Sequence, residues 1–301
     1  MSYIIINRQT MLKFKNLHIY CNRANTLDFN VIVPILQKYF TNVAIDVRHP
    51  FLNNIDNVLA ESLVSIRISD IKKPFNEQPR IKVQGKSDQN VAYEKNFPKY
   101  LILKGISNGS STTESQYKEL ILYDGFMMQR LFETMINENE SNTDHVHIVF
   151  EDRLICTFSE EDWRYHARTI VAGNPSIIST TGIVEAPAKP KEWYIKQMLL
   201  AAYDIDRDGE DKNDGISPSE KEKYLDYGDY RINFAAVGYA LQALFFFITE
   251  GNPFCNDINC RLYNAHWQEE LIHSQIQSER LCNEHAASLH QFNTVLLLNN
   301  R

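Results

Sequence analysis

The chain has 301 residues, enough for one large domain or two smaller ones around a sizeable core. Its 44% hydrophobic and 23% charged content is ordinary for a globular protein, and a net charge of −7 without a basic stripe argues against a nucleic-acid partner. Five cysteines are too few for a disulfide scaffold, residues 1–11 lack the apolar core of a signal peptide, and no apolar run reaches about eighteen residues. These features point to a cytoplasmic protein with no membrane partner, with Met11 an alternative start to Met1.

Residues 17–21 read as a strand, Asp28 as the N-cap of a helix over 31–40, and 42–47 as a second strand. His49-Pro50 closes this α/β opening. Residues 51–100 read as irregular, with a short helix and a strand or two. A strand over 100–103 leads to a polar loop at 107–113. A helix begins near Gly125 and ends over 131–135, 137–144 is a polar break, and 145–150 and 154–158 are strands. Residues 167–172 and 176–181 form a strand pair about the turn Gly173-Asn174-Pro175. The Pro-rich stretch 186–190 is a stiff connector to a helix over 193–203.

Residues 204–229 are acidic and poor in apolar groups, as in an insertion. An uncharged, apolar helix follows over 233–249 and reads as buried on every side. An amphipathic helix over 264–281 and a short tail complete the chain. The order β-α-β with later helices gives an α/β class and a single domain over 1–301. Within it lie an N-terminal α/β part at 17–190, the acidic insertion at 204–229, and a core helix with a C-terminal subdomain at 233–290.

Three of the five cysteines fall between residues 255 and 282. Cys255 and Cys260 make one close pair, Cys282 and His285 another. Two spaced pairs of soft or borderline ligands suit one tetrahedral Zn²⁺ closed to solvent, unrelated buried thiols being the plainer alternative. Cys21 and Cys156 lie in apolar strands and read as core residues.

Farther on, His266, Glu270 and His273 fall at i, i+4 and i+7, one face of a helix. Such a face offers a His/Glu/His set to a second Zn²⁺ with one position open for water, and Glu269 supplies a spare carboxylate as base. A solvated polar face or a partner-binding face is the plainer reading. His166 is a fourth ligand or an acid for that set, or a surface histidine held by its neighbours. Residues 204–209 begin like a calcium loop, but the twelfth position is Gly215 instead of Glu. A weak Ca²⁺ site at 204–214 competes there with a solvated insertion. No nucleophile-elbow motif and no phosphate-cradling Gly loop occurs.

The stretch around the cysteines resembles archaemetzincins, the archaeal and eukaryotic branch of the metzincin zinc peptidases. That family shows HExxHxxGxxHC, four residues, Cys, one residue, Met, a gap of about seventeen, and CxxC. Here Gly251 falls on the motif glycine, Cys255 on the cysteine after the third histidine, and Cys260 four intervening residues on. Leu262 stands at the Met-turn methionine, nineteen residues separate it from Cys282, and His285 replaces the last cysteine. Upstream, 123–129 is similar to the segment before the family's first long helix. The strand near His145, the Gly173 turn and the strand at 176–183 follow in the family's order. The whole also resembles an archaeal family known only as candidate metallopeptidases.

The resemblance implies a metzincin-like mixed sheet with helices, closed by a small zinc-clamped C-terminal subdomain. It does not carry the chemistry. The positions of the three zinc-binding histidines and the glutamate base hold Leu244, Phe245, Ile248 and Phe254. Apolar side chains neither coordinate Zn²⁺ nor take a proton from its water. The expected function is a zinc-binding pseudopeptidase that binds a peptide or protein partner. The alternatives are an active zinc hydrolase with its metal relocated to His266, Glu270, His273 and His166, and an acidic scaffold with no pocket near His266.

Overall fold

The computed structural model describes residues 14–22, 26–81, 88–97, 120–204, 223–249 and 251–299. Alternation along the first strand organises the fold. β1 (Asn16–Asn22) places Leu17 and Ile19 on one face and His18, Tyr20 and Asn22 on the other. α1 (Phe29–Tyr39) follows, its N-terminus capped by the Asp28 carboxylate, which accepts from the Asn30 N–H at 2.9 Å. β2 (Ala44–Arg48) then pairs in parallel with β1.

Next come α2 (Asn57–Ser65), β3 (Arg67–Ile68), α3 (Gln89–Lys95), β4 (Leu122–Asp124) and α4 (Gly125–Glu133). β5 (His145–Glu151), β6 (Leu154–Ser159), β7 (Arg164–Arg168), β8 (Ile170–Val171) and β9 (Ser176–Ser179) continue the chain. α5 (Thr180–Glu185), α6 (Lys191–Asp204) and α7 (Ile232–Ile248) lead to α8, a turn of α-helix at Gln268–Leu271 that continues as a π-turn over Ile272–Gln277. α9 (Asn283–Asn299) is the last element described.

The strands form two mixed sheets. The first has the order β2-β1-β5-β9-β8, parallel except for β8; the second is β3-β4-β6-β7. One face of the first sheet, with Leu17, Ile19, Val146, Ile148, Phe150 and Ile178, joins a core that includes α1 and α7. The opposite face contributes Tyr20, Val149 and Ile177 to a second core with Tyr123 and Ile155 of the second sheet. The first sheet is thus covered by helices on one side and by the second sheet, with α2 and α4, on the other. The expected mixed α/β class holds, with two sheets where one was expected.

α7 is buried almost all round, as its uncharged sequence predicts. Gly238 permits its closest approach to α8, since a Cβ there would lie 1.5 Å from Gln275 Oε1. Among the described residues no helix is long and apolar enough to cross a membrane.

Several local expectations are corrected. The strand expected over 167–172 splits between the sheets: β7 pairs with β6 and β8 with β9. Thr180 and Thr181 begin a helix instead of ending a strand, because the Ser179 hydroxyl accepts from the Gly182 N–H at 2.8 Å and caps it. The helix expected over 264–281 is confined to α8, because 266–268 bridge to Ala188: the Ala188 N–H donates to His266 O at 2.8 Å and the Gln268 N–H to Ala188 O at 2.9 Å. The expected tail is the 17-residue helix α9. Phe292 docks it, with its ring 4.8 Å from Phe14 and 5.8 Å from Phe40, and Asn293 Nδ2 donates to Tyr39 O at 2.7 Å. The readings over 100–103, 107–113 and most of 204–229 lie outside the described residues.

Candidate metal centres

α7 ends at a turn in which the Gly251 N–H donates to Phe246 O at 2.8 Å; Gly251 adopts φ +100°, a conformation that favours glycine. The chain then folds back on itself. The Cys255 N–H donates to Leu262 O at 2.8 Å, and the Cys260 N–H to Asp257 O at 2.9 Å. Cys282 precedes α9 and His285 sits in its first turn, so the helix brings the second pair to the first.

The donor atoms of Cys255, Cys260, Cys282 and His285 all lie within 4.8 Å of one another. Cys255 Sγ is 3.8 Å from Cys282 Sγ, and Cys260 Sγ is 3.7 Å from His285 Nδ1. Metal–sulfur bonds of about 2.3 Å put two thiolates of a tetrahedral zinc site roughly 3.8 Å apart, so this edge fits such an ion. Cys282 Sγ and His285 Nδ1 are closer, at 3.0 Å, a thiol–imidazole hydrogen bond. Two backbone donors support the sulfurs: the Asp257 N–H lies 3.4 Å from Cys255 Sγ and the Cys282 N–H 3.4 Å from Cys260 Sγ. Burial pushes the Cys260 thiol up to about 12 and the His285 imidazole down. Without an ion the thiol keeps its proton, and a cation must displace it, whereas the neutral imidazole is already in ligand form.

The positions matched to the peptidase motif are unsuited to metal. Leu244 and Phe245 are fully buried and Ile248 is 5% exposed, all in the core around α7. Phe254 is 41% exposed on the following loop. Phe245, at the position of the general base, packs edge-on against the His285 ring with centroids 5.5 Å apart. That residue packs against one of the four converging donors of the Cys/His cluster.

The His266, Glu270, His273 and His166 set does not come together. His266 is exposed and precedes α8, so it does not share a helical face with Glu270. The Glu270 carboxylate caps the helix instead, accepting from the N–H groups of His266 at 2.9 Å and Trp267 at 3.1 Å. His273 lies in the π-turn and bonds Asn259 Oδ1 through Nε2 at 3.0 Å. Glu269 lies 3.5 Å from the Tyr224 hydroxyl. His166 is on β7, where Nε2 bonds the Asp162 carboxylate at 2.8 Å. Among the described residues, the donor groups that converge within metal-binding range contain none of these. The possible Ca²⁺ loop lies outside the described residues beyond Asp204.

A second converging group, not anticipated from the sequence, is His18, Glu140 and His145. The signal was present as alternation in three predicted strands. His18 and Tyr20, Asp46 and Arg48, His145 and His147 occupy one phase while apolar residues occupy the other. Parallel pairing of β1 with β2 and β5 puts His18 opposite both Asp46 and His147.

His18 is 5% exposed and His147 is fully buried. His18 Nδ1 bonds Asp46 Oδ1 at 2.6 Å, and His18 Nε2 faces His145 Nδ1 at 2.8 Å. Arg48 donates to both oxygens of Glu140, at 2.5 and 2.9 Å. That pairing holds the Glu140 carboxyl down at about 2, and burial holds the His147 imidazole down at about 4. Asn174 braces the start of β5, accepting from the His147 N–H at 2.9 Å and donating to His145 O at 2.9 Å. A cleft of about 640 Å³ opens beside the group, lined by Tyr20, Arg48, Phe51, Met135 and Glu140 among others.

The fold is mixed α/β, and two donor sets on it could hold a metal ion, as expected of a metallopeptidase-like, metal-binding class. The chain belongs to the family described as "Probable metallopeptidase family (DUF6775)", whose family model matches residues 13–292. No curated protein and no solved structure matches the chain.

Proposed function

We propose that this member of a metallopeptidase family is a catalytically degenerate, cytoplasmic pseudopeptidase, clamped by one structural zinc, that binds a peptide or protein partner. The observation that carries the reading is the burial of Leu244, Phe245 and Ile248 in the core where peptidase relatives of the resemblance hold zinc and water. A site needs polar donors open to substrate, and these three positions supply neither. The Cys/His cluster would hold the zinc, and the ion supplies a cross-link between the 255–260 turn and the start of α9. A reducing compartment suits thiols kept for a metal. The cleft beside Tyr20, Arg48 and Phe51 offers aromatic and cationic lining to an extended peptide.

The relocated-hydrolase alternative at His266, Glu270 and His273 draws no support from the geometry, since Glu270 is engaged as a helix cap. The test combines metal analysis with a peptide-library assay on the purified full chain. Zinc that protects Cys255, Cys260 and Cys282 from alkylation, with peptide retained but not cut, is the expected result. Chelator-sensitive cleavage of the library, reversed by added zinc, would overturn the pseudopeptidase reading.

A further inference from the structure

The polar face of the first sheet has a use that the Cys/His cluster does not cover. We propose that His18 Nε2, His145 Nδ1 and a carboxylate oxygen of Glu140 form a binding site for a divalent transition metal of the Zn²⁺ type. These three donor atoms converge within 4.8 Å. Two imidazoles and one carboxylate are a donor set that suits such ions, and three protein ligands leave a position for water or another ligand.

The second shell is built for it. Asp46 Oδ1 lies 2.6 Å from His18 Nδ1, so the carboxylate accepts a hydrogen bond from Nδ1–H and the lone pair stands on Nε2. A carboxylate behind a ligating histidine fixes its tautomer and raises its basicity. His18 Nε2 then faces His145 Nδ1 at 2.8 Å, a distance that two bare lone pairs would not tolerate, so a proton lies between them. A metal would take the place of that proton, which passes through solvent to His145 Nε2, so that His145 stays neutral in its other tautomer. The two nitrogens need to part by only about half an ångström to reach the edge of a tetrahedral zinc site with bonds of roughly 2.0–2.1 Å.

The place already attracts a cation. Arg48 bonds both oxygens of Glu140 and brings Nη2 to 3.5 Å from His18 Nε2. A metal and the guanidinium therefore compete for Glu140. Arg48 and Glu140 also line the cleft, which provides an entry path. His147 does not ligate: its ring is 4.9 Å from that of His18, and its nitrogens already face Tyr20 Oη at 3.3 Å and Glu140 O at 3.2 Å. It packs behind the site. This inference goes beyond the pseudopeptidase reading and does not depend on it.

The experiment is a Co²⁺ titration of the metal-stripped full chain, followed by absorption and by metal content per chain. Two equivalents are expected. One gives the intense thiolate-to-cobalt band of the cysteine cluster, and the other only weak ligand-field bands of nitrogen and oxygen donors. Glu140→Gln and His145→Ala alter half-buried positions, and each should lose the second equivalent while keeping the thiolate band. A wild-type chain that shows the thiolate band and no further equivalent, or a second equivalent retained by both variants, overturns the proposal. Ligand-field bands without the thiolate band would support this site and sink the zinc clamp.

Discussion

The two donor clusters differ in how they are held. The Cys/His cluster draws its ligands from residues 255–285, and turns and a helix start bring them together. The His/Glu cluster draws its two histidines from strands 127 residues apart in sequence, held by parallel pairing within a sheet, and Glu140 from the turn before β5. In the first, as proposed, an ion keeps the loops in place, because the thiols otherwise have only weak partners. The histidines of the second are positioned by backbone ladders that exist whether or not an ion is present, and its Glu140, in a short turn before β5, is held by Arg48. On the proposals above, a metal at the first site would act as a folding element and a metal at the second as a ligand.

The largest effect should come from the loop-built cluster. Cys260→Ser removes a fully buried ligand and should lower stability by roughly 4 kcal/mol or more. Thermal unfolding with and without a chelator checks this: the wild-type chain should lose stability to the chelator, and the variant should be indifferent to it.

The sheet-built side is rigid for other reasons, which the next substitution probes. Glu94 is fully buried and accepts from Arg67 Nε at 2.8 Å, Arg153 Nε at 3.0 Å and the Tyr123 hydroxyl at 2.7 Å. Arg153 also bonds Glu151 at 2.9 Å, at the far end of the strand that starts with His145. Glu94→Gln leaves two buried guanidinium groups short of a counter-charge and should cost about 3–5 kcal/mol in denaturant unfolding. Metal content at the cysteine cluster should not change.

A pH experiment separates a buried carboxyl at the end of β5 from either cluster. Burial first, and then the charge of Glu151, pushes the Asp152 carboxyl up to about 7. The folded state therefore binds this proton more tightly than the unfolded state. The contribution is fully favourable below about pH 4, falls as pH rises toward 7, and stays lost above that. Asp152→Asn should remove this slope, with a stability gain of at most about 4 kcal/mol at pH 8 and none at pH 4. Melting temperatures of variant and wild type across that range measure the difference.

The smallest effect sharpens the comparison most. Arg48→Met frees Glu140 from its competing cation. It should tighten cobalt binding at the sheet site about tenfold, equivalent to roughly 1.4 kcal/mol. Stability should fall by no more than about 1 kcal/mol, as for a partly exposed ion pair. Tighter binding at the cysteine cluster in the same variant would contradict the separation of the two sites.

Much of the first cluster was legible in sequence because tetrahedral ligands in short-range pairs leave a spacing signature. The second left only its alternation. His18, Asp46 and His145 each look like a polar residue on the wet side of a strand until the strand order is known. The His266, Glu270 and His273 pattern shows the opposite error. Its spacing was helical, but a bridge to Ala188 delays the helix start past His266, and a π-turn changes the register before His273. The tail at 283–299 was misread because its helix is stabilised by docking Phe292 on distant rings.

By itself the sequence determined the α/β order of elements, the apolar core helix α7, the four-donor spacing of the Cys/His cluster and the absence of a peptidase motif. These rest on periodicities and spacings within a few dozen residues, which local chain geometry dictates. Only the tertiary structure decided that the strands form two sheets, that Phe245 packs against His285, and that three histidines, Asp46 and Arg48 share one sheet face with Glu140 brought beside it. Those outcomes depend on which strands pair and in what register. That is settled by burying Leu17, Ile19, Val146 and Ile148 against α1 and α7, and it turns the alternate residues of three separate strands toward one another.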